Sequence, residues 1–101
     1  MEDFKFKVFK IIRKIPKGRV TSYKEVARAL GRPGAARAVG NALNKNEKLL
    51  EIPCHRVIKS NGEAGDFKIG RKNKVKYLRE DGVIIVGGKI INFDKRFYKL
   101  M

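Results

Sequence analysis

Apolar residues recur at helical spacing along the first part of the chain, where a helix is predicted over residues 4–14. Its apolar side is formed by Phe4, Val8, Ile11 and Ile12. Asp3 precedes the stretch and can act as its N-cap. Residues 16–18, PKG, follow it and are expected to end the helix. The pattern therefore predicts a first amphipathic helix that buries one side.

A second helix is predicted to begin at Ser22, because Ser22 and Glu25 have the spacing of a capping box. It runs to about Leu30, and residues 31–34, GRPG, then form a compact turn. A third helix is predicted over residues 35–44. Two short helices joined by a glycine-containing turn are typical of a helix-turn-helix unit.

The third helix has two different sides. The side that can serve the core carries Ala35, Val39, Ala42 and Leu43. The other side carries Arg37, Gly40, Asn41 and Asn44. A single arginine among small residues lets the backbone approach a binding partner closely. A solvated polar face is the alternative interpretation, and the high positive charge of the chain favours DNA.

The second half of the chain mixes helix and strand signals. Residues 49–58 are apolar enough for a short buried segment, and residues 60–62, SNG, indicate a turn. A basic helix is predicted over residues 70–80, with Val75, Tyr77 and Leu78 facing inward and Gly82 ending it. Residues 83–86 and 89–93 flank two glycines and are predicted to form a β-hairpin. The last residues are not assigned.

Length and charge narrow the class of protein. A chain of 101 residues is expected to form one domain, here an α+β, mainly helical domain over residues 1–101. It has 25 basic and 10 acidic residues, a formal net charge of +15 and a pI near 10.3. Nucleic acid is the commonest large polyanion that such a charge attracts. An anionic membrane surface is the alternative, but no basic amphipathic helix with a broad apolar face stands out.

The sequence also indicates where the protein acts. It has no secretory signal and no apolar run long enough to span a bilayer, so we expect a soluble cytoplasmic protein associated with the nucleoid and not with a membrane. We expect a monomer that needs no cofactor. A zinc site is not expected, because one cysteine and one histidine fall short of the usual four ligands.

The single cysteine and the single histidine, Cys54 and His55, are adjacent and are followed by Arg56. A thiol reacts as the thiolate, and neighbouring cations raise the thiolate fraction. A lone cysteine is otherwise often a small core residue, which is the alternative interpretation of Cys54. Adjacency alone does not decide between them, since neighbours on an extended segment point to opposite faces.

Several motifs together resemble one family, the O6-alkylguanine-DNA alkyltransferases. They are residues 18–23 (GRVTSY), residues 35–40 (AARAVG), Asn46 and residues 52–57 (IPCHRV), in the order and spacing of that family. The resemblance covers roughly residues 4–82, and the cysteine motif is its most specific part. It implies a winged helix-turn-helix domain that binds double-stranded DNA containing O6-alkylguanine.

The resemblance also implies residue roles. Cys54 is similar to the thiol that accepts the alkyl group in a single turnover, and His55 to the residue that removes its proton through a water, oriented by a carboxylate at Asp81. Arg37 is similar to the residue that replaces the extruded base, since the target atom lies inside a duplex. Asn46 is similar to the hinge between the recognition helix and the active-site segment.

The remaining site predictions follow from the same resemblance. The predicted DNA-binding residues are Tyr23, Ala36, Arg37, Gly40, Asn41 and Lys45, with Tyr23 also turning the 3′ phosphate. The predicted substrate-pocket residues are Tyr23, Val57, Phe67 and Lys68. The small residues around Arg37 fit a recognition helix that enters the minor groove.

The chain departs from the family pattern in four places. The family usually has an N-terminal domain, which is missing here, and the sequence leaves open whether a separate chain supplies it. The carboxylate before Gly82 is usually Glu, whereas this chain has Asp81 with Glu80 beside it. Phe67 and Lys68 stand where Tyr and Ser or Ala are common. The hairpin and tail over residues 83–101 are additional or divergent.

Three functions compete on this pattern. The leading one is transfer of the alkyl group from O6-alkylguanine in DNA to Cys54. The second is a non-catalytic alkyltransferase-like protein that binds the same lesion, although those relatives replace the acceptor cysteine, usually with Trp or Ala. The third is a plain winged-helix DNA-binding protein, which explains the charge but not the motif around Cys54.

Overall fold

The computed structural model describes residues 3–48, 51–65 and 70–100. Within these ranges the order of elements is α1 (Phe4–Ile12), β1 (Thr21–Ser22), α2 (Tyr23–Ala29), α3 (Ala36–Leu43), a 3₁₀ turn (Cys54–Arg56), β2 (Val57–Ile58), α4 (Arg71–Glu80), β3 (Ile85–Val86), β4 (Lys89–Ile90) and α5 (Phe93–Arg96). The fold is therefore mixed and mainly helical, as predicted. No helix in the described ranges is both long and apolar enough to cross a bilayer.

Helices α1, α2 and α3 enclose the larger core, as their apolar spacing predicts. Val8 and Ile12 of α1 are fully buried against α3, whose Val39, Ala42 and Leu43 are also buried. Asp3 caps α1 by accepting a hydrogen bond from the Lys5 amide. The three predicted helices are confirmed, and each ends one or two residues earlier than predicted.

A parallel pair of strands, β1 and β2, was not predicted. Thr21 lies opposite Val57, and Ser22 lies opposite Ile58. The sequence predicts Ser22 only as a helix cap. Its hydroxyl does cap α2, because it accepts a hydrogen bond from the Glu25 amide at 2.9 Å. Partners 36 residues apart are not visible to local patterns. This pairing seats the turn that carries the cysteine directly beside the start of α2.

A smaller core lies under α4 and the hairpin. Its buried residues are Val20, Ile58, Ala64, Leu78, Val83, Ile85 and Ile90. The hairpin is confirmed, with β3 and β4 antiparallel around Gly87 and Gly88, both at positive φ. Both strands were predicted too long. The first begins only at Ile85, and the second ends at Ile90, because Asn92 adopts a left-handed conformation (φ 58°) and α5 begins at Phe93. Phe93 packs against this smaller core.

The C-terminal tail is part of the fold, although the sequence assigned it no structure. The amide of Val20 donates to the Arg96 carbonyl at 2.8 Å, and the Tyr98 amide donates to the Val20 carbonyl. Leu100 is buried within the larger core. The tail thus closes the side of the domain formed by β1 and α2.

The Glu25 side chain binds this tail and does not complete the predicted capping box. Its carboxylate accepts two hydrogen bonds from Arg28, at 2.7 and 2.8 Å, and one from the Leu100 amide at 2.7 Å. Arg28 in turn donates to the Leu100 carbonyl. The helix N-terminus therefore keeps the Ser22 half of the capping box, while Glu25 holds the chain end.

We expect Glu25→Ala to lower the free energy of unfolding by about 1–3 kcal/mol, because it leaves the buried Leu100 amide without its acceptor. Urea unfolding followed by circular dichroism measures this loss. Glu63→Ala is the matched control: it removes an exposed ion pair with Lys59 (3.5 Å), and such solvent-screened pairs contribute little to stability. Equal losses in both variants would mean that Glu25 does not hold the tail.

Candidate functional site

A cleft of about 590 Å³ brings the predicted thiol and the polar face of α3 together; we call it the Cys54 cleft. From α2 and α3 it is lined by Tyr23, Ala36, Arg37, Gly40, Asn41 and Asn44. Its other lining residues include Cys54, Lys59, Gly65 and Arg71. Three of the lining residues are cations, and the described lining contains no acid. The cleft is therefore suited to an anionic partner.

Cys54 stands at the first position of the 3₁₀ turn, with only 3% of its surface exposed. Asn46, which is also buried, donates one hydrogen bond to the Ile52 carbonyl (2.9 Å) and one to Cys54 Sγ (3.4 Å). The Asn46 side-chain oxygen accepts from the Lys48 amide. One side chain thus links the end of α3 to the sulfur, and an amide donor stabilises a thiolate more than a thiol.

His55 and Arg56 share the carboxylate of Asp81. His55 Nε2 lies 2.9 Å from Asp81 Oδ2, and Arg56 Nε donates to the same oxygen at 2.8 Å. Arg56 also donates to the Ile15 carbonyl, which fixes the guanidinium after α1. Glu80 is exposed on the last turn of α4. Of the two acids before Gly82, Asp81 is therefore the partner of the imidazole, despite its shorter side chain.

This arrangement selects one tautomer of His55. An ionised Asp81 accepts a hydrogen bond from Nε2–H, so the neutral ring carries its lone pair on Nδ1. Nδ1 is buried and makes no hydrogen bond to the described residues. Burial lowers the pKa of His55 below its usual 6.5, although Asp81 opposes part of this effect. The imidazole is thus neutral at neutral pH and able to accept a proton.

Asp81 stays ionised beside it. Burial on its own raises the pKa of the Asp81 carboxyl, but the hydrogen bonds from Arg56 and His55 outweigh it and bring the pKa below its usual 3.8. The hydrogen bond from Arg56 therefore keeps the Asp81 carboxylate negatively charged next to the imidazole. Arg56 thus holds Asp81, and Asp81 fixes the orientation of His55, the residue next to Cys54 in the chain.

The lowered pKa of His55 predicts an acid limb in any reaction that uses it as a base. Above pH 6.5 the ring is neutral and the rate is at its full value; as pH falls through the lowered folded-state pKa, the ring is protonated and the rate falls. The rate of thiol alkylation, measured in a single turnover between about pH 5 and 8, should therefore fall with a midpoint below 6.5. A midpoint above 6.5 would contradict the assignment.

Sequence reasoning missed Lys74, which is fully buried in α4. Its ammonium donates to the Tyr23 hydroxyl at 2.9 Å and lies 5.2 Å from the centre of the Tyr23 ring. A buried lysine next to a cleft tyrosine is a strong electrostatic feature, because a desolvated charge must be paired. Lys74 precedes the buried Leu78 by four residues, so helical spacing could have pointed to it.

Gly65, which also lines the cleft, was missed as well. Its φ is +79°, and a Cβ built there would lie 3.4 Å from the Tyr23 hydroxyl and 3.2 Å from Lys59 Cγ. A side chain would therefore be strained and would crowd the tyrosine. On the opposite side, a Cβ at Gly40 would lie 3.9 Å from the same ring. Small residues at both positions leave room around Tyr23 in the Cys54 cleft.

Other predicted residues lie elsewhere. Lys45 is exposed and lines a different groove, beside α1. Val57 was predicted to line the substrate pocket, but its side chain is fully buried in the larger core and does not line the cleft. Strand pairing with Thr21 directs it inward. Phe67 and Lys68 lie outside the described residues.

The site is thus a buried cysteine beside a histidine–carboxylate pair, in a cationic cleft lined by a helix of small residues. The family described as "6-O-methylguanine DNA methyltransferase, DNA binding domain" matches residues 3–83. The chain belongs to this family.

Relatives agree with this assignment. The chain is 50% identical over 82 residues to the methylated-DNA–protein-cysteine methyltransferase of Saccharolobus islandicus, covering 81% of this chain and 52% of that one. The structure of Mycobacterium tuberculosis OGT in complex with DNA has a TM-score of 0.77 and 39% identity, covering 81% and 50% of the two chains.

The second solved structure extends over the hairpin and tail. It is S. pombe Atl1 in complex with damaged DNA containing O6-carboxymethylguanine, with a TM-score of 0.86 and 34% identity. The match covers 98% of this chain and 97% of that chain. By contrast, the chain spans only 28% to 52% of the length of the curated relatives that it matches.

Proposed function

We propose that this protein repairs O6-alkylguanine in DNA by moving the alkyl group to its own Cys54. The observation that carries the proposal is the position of the sulfur: it lines a cationic cleft, accepts a hydrogen bond from Asn46, and is followed by a neutral histidine held by an ionised Asp81. A structural core cysteine requires none of these neighbours.

The chemistry follows from these groups. The Cys54 thiol gives its proton, through a water, to Nδ1 of His55, and the thiolate attacks the alkyl carbon in line with the O6 bond. The new S–C bond forms as the C–O6 bond breaks, and the guanine takes up a proton as it leaves. A thioether is a poor leaving group, so Cys54 is not regenerated and each chain reacts once.

DNA would reach the sulfur along α3. In the proposed complex α2 and α3 act as a helix-turn-helix, and α3, with its small residues at Ala36 and Gly40, approaches the minor groove. The reacting atom is stacked inside a duplex, so the base must be turned out into the Cys54 cleft. Arg37 then takes the place of the extruded guanine, while Tyr23 meets the adjacent phosphate.

Intact mass spectrometry tests the proposal. After incubation with a duplex containing O6-methylguanine, the mass of the chain should rise by one methyl group, located on the peptide that contains Cys54. Repeated turnover with excess DNA, or a methyl group on another peptide, would overturn it.

A lesion sensor is the second candidate, because the match with Atl1 covers nearly the whole chain, including the hairpin and tail. Such a protein would hold the damaged base in the Cys54 cleft without reacting. Tight binding of the O6-methylguanine duplex without a mass change would favour it over transfer.

The role of Arg37 gives a separate prediction. We expect Arg37→Ala to slow transfer from duplex DNA by roughly ten- to a hundredfold, because holding the base out of the stack must offset a few kcal/mol. Transfer from free O6-benzylguanine, which needs no extrusion, should change much less. Single-turnover rates on the two substrates measure the difference.

Lys45→Ala is the comparison for this variant. Lys45 is exposed outside the Cys54 cleft, so its loss should weaken binding to all sequences slightly and flatten the salt dependence. If Arg37→Ala slows both substrates equally, Arg37 supports the fold and not the extruded state.

A further inference from the structure

A second groove runs beside α1, on the other side of the α3 terminus from the Cys54 cleft; we call it the α1 groove. Its volume is about 620 Å³, and Phe6, Phe9 and Ile52 contribute its apolar surface. Phe6 is 55% exposed, the most exposed large apolar residue of α1. The exposed ring lies within the groove next to Phe9 and Ile52, so it is accessible to a molecule bound there.

The rim of the groove is strongly basic. Its cations are Lys5, Lys10, Arg13, Lys45 and Lys48. Among the described lining residues the one acid is Glu47; Glu51 lies nearby, 3.9 Å from the exposed Lys48 ammonium. Phe6, Lys10 and Arg13 recur at helical spacing, so ring and charges form one stripe along α1.

We propose that the α1 groove binds single-stranded DNA, with the phosphates on its cations and a base stacked on Phe6. A charged groove with an exposed aromatic platform is the arrangement by which proteins bind unpaired strands without sequence preference. The Lys5 ammonium lies 5.1 Å from the centre of the Phe6 ring. That cation occupies one face of the ring, and the base stacks on the opposite face.

Continuity with the Cys54 cleft favours a nucleic acid over an acidic protein. Asn44 lines the cleft, and the next two residues, Lys45 and Asn46, line the α1 groove. A strand leaving the cleft can therefore pass the end of α3 and enter the groove without leaving the protein surface. Asn46 also touches Cys54 Sγ, so the bound strand would lie against the loop that positions the nucleophile.

The inference goes beyond the proposed function and can be tested apart from it. The probe is a fluorescent oligothymidylate of about 12 nucleotides, within the usual site size for unpaired DNA. It carries no alkyl group, so its binding does not depend on transfer to Cys54. Binding is measured by anisotropy over a range of salt concentrations, with an unmodified duplex of the same length beside it.

Phe6→Leu separates stacking from apolar contact. Since loss of one stacked base weakens binding by about tenfold, we expect that reduction for oligothymidylate and little change for the duplex. Phe6 is exposed, so the variant should fold; its urea unfolding midpoint verifies this.

Lys10→Gln combined with Arg13→Gln tests the charges. Each phosphate contact on single strands contributes about 0.7 to the slope of log affinity against log salt, so the double variant should lower the slope by about 1.4. Lys95→Gln is the matched control, because Lys95 is an exposed cation on α5 outside the groove. It should leave the slope unchanged.

Two results would overturn the inference. The first is oligothymidylate binding that is as tight in Phe6→Leu as in the wild type. The second is a slope that falls by the same amount per removed charge in the double variant and in Lys95→Gln, which indicates a diffuse surface charge. If Phe6→Leu instead abolishes binding of a glutamate-rich peptide containing leucine while oligothymidylate still binds, the groove takes protein and the proposal is wrong.

Discussion

Cys54→Ala should abolish alkyl transfer and leave lesion binding measurable. The thiol is the only one in the chain, so no other side chain can form the thioether. The walls of the Cys54 cleft do not depend on the sulfur, because Tyr23, Arg37 and Gly40 are held by α2 and α3. Intact mass after exposure to an O6-methylguanine duplex should show no adduct, while anisotropy on the same duplex still reports binding.

The substitution is small enough to interpret. Cys54 is 3% exposed and packs in the larger core, so alanine removes one buried atom and the stability should fall modestly. A methylated Cys54→Ala chain would move the chemistry to another residue. Loss of binding together with loss of transfer, in a folded variant, would mean that the sulfur shapes the cleft.

Asp81→Asn should slow transfer by about a hundredfold or more, because His55, the proposed general base, loses its orienting charge. Asparagine keeps the size of the side chain but can present its amide donor to His55, which selects the other tautomer. It also leaves Arg56 without its anion, 2.8 Å away in the wild type. Single-turnover rates on duplex DNA measure the effect, and affinity for the lesion should change little.

Glu80→Gln is the matched control for this variant. It makes the same chemical change one residue earlier on α4, at a side chain exposed to solvent. Its rate should equal that of the wild type. A slow Glu80→Gln with a normal Asp81→Asn would assign the orienting role to Glu80 and contradict the geometry. Asp81→Glu, which restores the acid usual in the family, should retain more activity than Asp81→Asn.

Local patterns were sufficient for most helices and for the hairpin turn. Apolar spacing placed α1, α3 and α4, and the two glycines placed the hairpin turn, because each of these signals involves neighbours within one or two turns. The polar side of α3 was also visible in advance, and Arg37, Gly40 and Asn41 do line the cleft. These features are encoded in short stretches of chain.

Long-range contacts decided the rest. The pairing of β1 with β2 joins residues 36 positions apart, and the hydrogen bond between Glu25 and Leu100 joins residues 75 positions apart. Local sequence patterns cannot predict contacts at such separations. The same reason explains the place of Val57: the resemblance implies a pocket residue, whereas the strand pairing directs its side chain into the core.

The sequence by itself determined the candidate residues: one thiol, one imidazole, an arginine among small residues and two adjacent acids. Only the tertiary structure decided how they are placed. The end of α4 lies beside the 3₁₀ turn, so that Asp81 and not Glu80 contacts His55. Arg56 donates to the same carboxylate, and Lys74 donates to the Tyr23 hydroxyl. The reason is physical: hydrogen bonds form across about 3 Å of space, whatever the distance along the chain.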